Sequence, residues 1–270
     1  MTSSTSWVTV TRHGRDGPVA EVALNRPEAM NAISTAFARQ LEAALREVAA
    51  EPTVRAVVLS STTARAFCVG ADLKERRSMD AKDLLGTRET NRSAYAAVLD
   101  LPVPAVAAVA GYALGGGFEL ALSCDLIVAA EGAVFALPEV GVGLMPGGGG
   151  TQLLTRRVGW SRAAGMVFTA RRVGVEEAAR LGVVDEVAAP GTVRQRALEL
   201  AWTISQNSPT GVRNAKAAMR AGAHLGLEGA LDCEDDYWRR TVLGPERAEG
   251  IAAFNEKRPP SWHPGHLGSV

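Results

Sequence analysis

Hydrophobic positions along this chain fall into two kinds of run, short continuous ones and longer ones with helical spacing. Trp7 to Val10 and Val19 to Leu24 are short and rich in β-branched residues. The glycine-bearing stretch Gly14 to Gly17 lies between them, which predicts an N-terminal strand pair. From Ser34 to Ala50 the apolar Phe37, Leu41, Leu45 and Val48 recur at helical intervals, with Ser34 or Thr35 placed to cap the helix. Arg55 to Leu59, Ala105 to Ala110 and Leu126 to Ala129 are short and almost wholly apolar. Strands covered on both faces have that character in α/β folds, and helices should fill the intervals. After about residue 190 strand signals stop. Thr192 to Ser205, Pro209 to Ala223, Leu227 to Val242 and Pro245 to Phe254 predict helices, and the Pro- and Gly-rich Lys257 to Val270 predicts a loose tail. The pattern therefore divides the chain into an α/β core, residues 1–191, and a helical C-terminal region, residues 192–270.

Composition narrows the function classes. At 270 residues and 47% hydrophobic content the chain can bury a large core without staples. Lys plus Arg equals Asp plus Glu at 29 each, so no net field draws it to nucleic acid or an anionic membrane. Cys68, Cys124 and Cys233 are odd in number and lack metal-ligand spacing, which suits reduced thiols in the cytoplasm. The N-terminal residues do not read as a secretory signal. The uncharged run from Leu101 to Phe118 is broken by Pro102, Pro104 and three glycines, so it predicts a strand, a turn and a helix start rather than a membrane span.

Two glutamates carry the candidate chemistry. Glu119 follows Gly115-Gly116-Gly117, and Glu139 lies in Leu137-Pro138-Glu139 just ahead of a second glycine-rich stretch. Each carboxylate stands beside backbone that a ligand can approach closely, an arrangement suited to paired acid and base work. The segment Ala66-Phe67-Cys68-Val69-Gly70-Ala71-Asp72-Leu73 predicts a strand, a glycine turn and a helix starting at Asp72, and Gly115 to Glu119 predicts a second such turn. Backbone N–H groups at helix starts are unpaired, so the two turns together form a candidate oxyanion hole. Other catalytic patterns are missing. No Gly-Lys dipeptide permits a P-loop, Pro146 interrupts a dinucleotide fingerprint, and there is no Gly-x-Ser-x-Gly elbow. His263 and His266 are a spaced pair in a proline-bearing tail, a weak basis for a metal site.

These motifs together resemble the enoyl-CoA hydratases of the crotonase superfamily over about Val8 to Pro260. Asn25 to Ala32, including Arg26 and Ala29, is similar to the family's early CoA-contacting loop. Phe67 to Leu73, with Val69, Gly70 and Asp72, is similar to its first oxyanion segment, Gly115 to Glu119 to its second, and Pro146 to Gln152, with Gly147, to its glycine-rich turn. The resemblance implies a spiral of ββα units, a helical C-terminal trimerisation region giving a trimer or dimer of trimers, and an acyl-CoA thioester as ligand. It implies no metal or redox cofactor, since coenzyme A belongs to the substrate. Carried over, the N–H groups of Ala71 and Gly116 hold the thioester oxygen, and Glu119 and Glu139 flank the double bond beside Pro138. Lys257 or Arg258 approaches the CoA phosphates.

Two departures from the family pattern, Val69 for a frequent alanine and Ala136 for a frequent glycine, bear on the acyl or pantetheine path. Retention of both glutamates favours hydration over the superfamily's other reactions and argues against an inactive scaffold. Asp72 to Arg76 and Glu256 to Pro260 resemble the methylglutaconyl-CoA hydratase branch, some of whose members also bind AU-rich RNA. That keeps a branched, acidic acyl group open. It also raises an RNA-binding alternative through Lys74, Arg76, Arg77, Lys82, Arg88 and Arg92. The interleaved Asp72, Glu75, Asp80, Asp83 and Glu89 favour a solvated mixed-charge face instead.

Overall fold

The continuous apolar runs become strands because both of their faces are covered. In a computed structural model, which describes residues 6–262, the elements run as follows. Strands β1 (Val8–His13) and β2 (Val19–Leu24) lead to α1 (Thr35–Ala50), β3 (Ala56–Ser61) and β4 (Ala66–Cys68). Then come α2 (Leu73–Arg77), α3 (Ala81–Gly86), α4 (Arg88–Leu99), β5 (Ala105–Val109), β6 (Tyr112–Leu114), α5 (Gly116–Ser123), β7 (Leu126–Ala130) and β8 (Val134–Ala136). The core continues with α6 (Gly150–Val158), α7 (Trp160–Thr169), β9 (Val173–Gly174), α8 (Val175–Leu181) and β10 (Glu186–Ala188). Helices α9 (Val193–Ser205), α10 (Pro209–Gly222), α11 (Leu227–Leu243) and α12 (Glu246–Glu256) follow.

From β3 to β8 successive strands alternate between two sheets. One sheet has the order β1-β2-β3-β5-β7-β10, and the smaller one β4-β6-β8-β9. Each of β3, β5 and β7 enters the large sheet in parallel register, and the strand after it, β4, β6 or β8, enters the small one before the chain returns through helices. This is the spiral of ββα units expected of the crotonase fold. Alternation within the central strands serves two cores. Val57 and Leu59 face a cluster with Phe37, Leu41 and Leu45 of α1, while Ala56, Val58, Val106 and Ala108 face Val193, Ala197 and Ala201 of α9. Of the two candidate caps, Ser34 is the one used, its side chain accepting from Phe37 N–H at 3.2 Å.

Helix α9, the first helix of the C-terminal region, covers one face of the large sheet. Arg194 pins it there by donating to both carboxylate oxygens of the buried Glu21 at 2.6 Å each. The later helices α10, α11 and α12 leave Met219, Leu227, Trp238, Leu243 and Phe254 exposed. The expected loose tail is anchored as far as Trp262. The Trp262 indole N–H donates to Gln206 O at 2.8 Å, and Arg55 donates to Trp262 O at 3.0 Å. His263 and His266 lie outside the described residues. Among the described residues no helix is long and apolar enough to cross a membrane.

Candidate active site

The two glutamates owe their positions to backbone turns that only glycine or proline readily makes. Gly115 adopts φ +52° and caps α5, where its own N–H donates to Ala136 O at 2.9 Å. Glu119 then falls in the first turn of α5, where the helix dipole favours an anion. Its side chain is 2% exposed, and Oε1 accepts from the N–H groups of Gly148 and Gly150 at 2.7 and 2.8 Å. Burial raises the Glu119 pKa, while those two N–H groups and the charge of Arg88 oppose the rise.

Glu139 follows Pro138 and opens a short 3-10 turn, Glu139–Val142. Its Oε1 lies over Gly115, where an added Cβ would come within 2.7 Å of it, and Oε2 is buried without a hydrogen-bond partner. Burial first, then the charge of Glu119, pushes its pKa up to about 7. The two carboxylates are thus driven apart in character. Glu119, although raised by burial, keeps two N–H donors that favour its anion, whereas Glu139 has no partner on Oε2 and retains a proton to near neutrality.

That titration gives a stability prediction. Because the folded-state pKa is raised above the ordinary value of 4.5, the contribution is fully present below 4.5 and is lost as pH rises through about 7. Glu139→Gln should therefore unfold at a higher temperature than wild type above pH 8, with the gap closing toward pH 4. Thermal denaturation across that range checks it. A gap that is flat with pH contradicts it.

Ala71 and Gly116 line one cavity. In the parallel bridge between Ile33 and Ala71, Ile33 N–H donates to Gly70 O at 2.7 Å and Asp72 N–H to Ile33 O at 2.9 Å, so the bridge does not use the N–H of Ala71. Gly116 opens α5, and its N–H is one of the donors that a helix start leaves without an intrahelical acceptor. The sequence attributed the first donor to the start of the helix after Asp72. The structure attributes it to the bridge, because the Asp72 carboxylate caps that helix by accepting from Lys74 and Glu75 N–H. Gly70, at φ +87°, lets the two segments meet, since a Cβ there would stand 2.8 Å from Leu114 O and 3.0 Å from Gly116 N.

A cavity of about 510 Å³ opens onto this arrangement, within the size range of small-molecule sites. It brings together Val69, Gly70, Ala71, Leu73, Gly115, Gly116, Glu119, Pro138, Glu139 and Gly147. Other sequence candidates lie off its wall. Phe67 is wholly buried in the core. Arg26 donates to Asp72 at 2.7 Å and to Ala32 O at 2.9 Å, so this pair braces the loop against α2. Ala29 sits in the 3-10 turn of that loop, and Asn31 ties the loop to Phe67 O at 2.9 Å. Lys257 ends α12 at φ +54° and is exposed.

The sequence model of the enoyl-CoA hydratase/isomerase family matches residues 14–265. The chain belongs to that family. It is 42% identical over 240 residues to YngF of Bacillus subtilis, named as an enoyl-CoA hydratase/isomerase, covering 89% of this chain and 92% of that one. It is 36% identical to the mitochondrial methylglutaconyl-CoA hydratase of Mus musculus, covering 90% and 79%. The crystal structure of enoyl-CoA hydratase from Bacillus anthracis superposes with a TM-score of 0.92 at 36% identity, covering 95% of this chain and 98% of that one. As an enoyl-CoA hydratase family member the chain is an enzyme, a hydro-lyase.

Within this hydratase-family site, several lining residues escaped the sequence reading as site residues. Arg76 and Arg88, taken as part of a basic row, face the cavity. Arg88 donates to Gly147 O at 2.7 Å, which holds the glycine-rich turn over Glu119. Leu84, Leu85, Val142, Leu144 and Met145 form an apolar wall. Tyr95 reaches the cavity from α4. Helical spacing predicts a buried face for α4, but no local signal says that this face fronts a cavity rather than core.

Proposed function

We propose that the chain adds water across the C2–C3 double bond of a 2-enoyl-CoA thioester to give the 3-hydroxyacyl-CoA, and catalyses the reverse elimination. The observation that carries this reading is the pairing of Glu119, whose Oε1 accepts two backbone N–H groups, with a proton-holding Glu139 on a cavity that Ala71 and Gly116 also line. Polarisation of the thioester oxygen by those N–H groups makes C3 electrophilic. Glu119 takes a proton from water as the oxygen bonds to C3, and the electron pair moves through C2 to the thioester oxygen. Glu139 then delivers its proton to C2. The pair titrates as a coupled unit, so the roles describe net proton flow. Addition of water changes no oxidation state overall, so the chemistry calls for no redox cofactor. Coenzyme A enters as part of the substrate. The exposed apolar faces of α10 to α12 support a trimer or dimer of trimers as the working form.

One observation favours an acidic acyl group as a second reading. Arg76 lines the cavity, half-buried, and its guanidinium makes no ion pair or hydrogen bond among the described residues. A carboxylate on the acyl chain would satisfy it. Hydration of crotonyl-CoA, longer enoyl-CoAs and methylglutaconyl-CoA, compared as kcat/KM, tests both readings. Arg76→Met should lower the ratio of methylglutaconyl-CoA to crotonyl-CoA about 10- to 100-fold if the acid is the substrate, the scale of a hydrogen bond to a charged group. An unchanged ratio removes the second reading, and no turnover of any enoyl-CoA removes the first.

A further inference from the structure

Helix α4 presents a phenol to the cavity. Tyr95 is 9% exposed, and its hydroxyl bonds to no protein group among the described residues. Buried hydroxyls are nearly always satisfied, so one that fronts a ligand cavity without a protein partner is placed to bond what the cavity holds.

Two glycines locate the hydroxyl. A Cβ on Gly116 would overlap Tyr95 Oη, and a Cβ on Gly148 would stand 2.7 Å from Tyr95 Cζ and 2.8 Å from Glu119 Oε2. The phenol therefore lies between a donor of the oxyanion hole and the catalytic carboxylate. Covalent geometry at Gly116 then puts Oη within about 5 Å of the Gly116 nitrogen. Two donors that share one acceptor at about 2.9 Å each stand at most roughly 5.8 Å apart, so the bound of about 5 Å lets Tyr95 and Gly116 converge on a single oxygen. Burial, then the charge of Glu119, raises the phenol pKa well above its ordinary value, so Tyr95 keeps its proton at neutral pH and is available as a donor. Glu119 Oε1 is already engaged by Gly148 and Gly150, leaving that oxygen less in need of the phenol.

We propose that Tyr95 is a further catalytic residue whose O–H donates to the thioester oxygen of the bound acyl-CoA, beside the N–H groups of Ala71 and Gly116. The proposal rests on the hydratase reading of this cavity. The bond strengthens as charge moves onto the thioester oxygen, so its effect falls on the chemical step more than on ground-state binding.

Tyr95→Phe removes the hydroxyl and keeps the ring. Two readouts are taken on the full chain, with folding checked by near-ultraviolet circular dichroism. The first is kcat for the best enoyl-CoA, expected to fall about 10²-fold, the scale of losing one oxyanion donor. The second is the absorption of bound dimethylaminocinnamoyl-CoA, whose band moves to the red as its carbonyl is polarised. That displacement should be smaller in the variant. An unchanged kcat overturns the proposal. So does a reduced kcat with a full red displacement, which would put the phenol on the attacking water. If the wild type hydrates no enoyl-CoA but shows a red displacement that Tyr95→Phe diminishes, the hydratase reading fails and the donor assignment stands.

Discussion

Glu119→Gln and Glu139→Gln are each expected to lower kcat for hydration by about 10²–10⁴-fold, the usual contribution of a positioned acid or base. Each amide is close in shape to the carboxylate it replaces, and the oxyanion donors are backbone groups that neither substitution removes. Affinity for a saturated acyl-CoA should therefore change little. The reasons for the loss differ. In Glu119→Gln the side chain keeps an oxygen for the N–H groups of Gly148 and Gly150, which now meet at 2.7 and 2.8 Å, but it can no longer take the proton from water. In Glu139→Gln the buried, unpartnered Oε2 is replaced or reoriented, and no group remains to protonate C2. On the proposed mechanism the two residues move one water's protons between them, so the double variant should be scarcely slower than the poorer single one. Steady-state kinetics with isothermal titration of the saturated ligand separates the terms. Additive losses in the double variant would show that the carboxylates act independently.

Gly70→Ala should be nearly as damaging, for a reason that involves no titratable group. An added Cβ would meet Leu114 O at 2.8 Å and Gly116 N at 3.0 Å, and the residue would also have to hold φ +87°. Both obstacles are backbone, so relief must come from moving the segment that carries the Ala71 N–H away from Gly116. Separating the oxyanion donors should cost about 10²–10³-fold in kcat/KM. The left-handed conformation costs the new side chain roughly 1–2 kcal/mol more, seen as a lower melting temperature. Kinetics beside thermal unfolding checks both, and a variant with wild-type kcat/KM would show that Gly70 does not set the donor spacing.

What the sequence revealed follows the physical range of each signal. Strands β2, β3, β5 and β7 of the large sheet were legible because they are five or six residues long and mainly apolar. In the second sheet Ala66–Cys68 was legible through the glycine turn that follows it, whereas Val134–Ala136 and Val173–Gly174 are two or three residues each, too short for any periodicity to register. The glycine turns, Glu119 and Glu139 were legible because their chemistry is local. Arg76, Arg88 and Tyr95 were not read as facing a cavity, because α2 and α4 are ordinary mixed-charge or amphipathic helices until the chain folds them over the glycine turns. Arg26 and Asp72 show the opposite effect. They belong to motifs typical of a ligand site, yet here their charged groups meet each other at 2.7 Å.

Reaction of the enzyme with crotonyl-CoA in heavy-oxygen water, followed by mass spectrometry of the acyl-CoA product, tests the central claim most directly. The expected product is 3-hydroxybutyryl-CoA, heavier than the substrate by one labelled water, with the label on the C3 hydroxyl and none in the thioester. A product of unchanged mass, or free crotonate released with coenzyme A, would contradict hydration at this site.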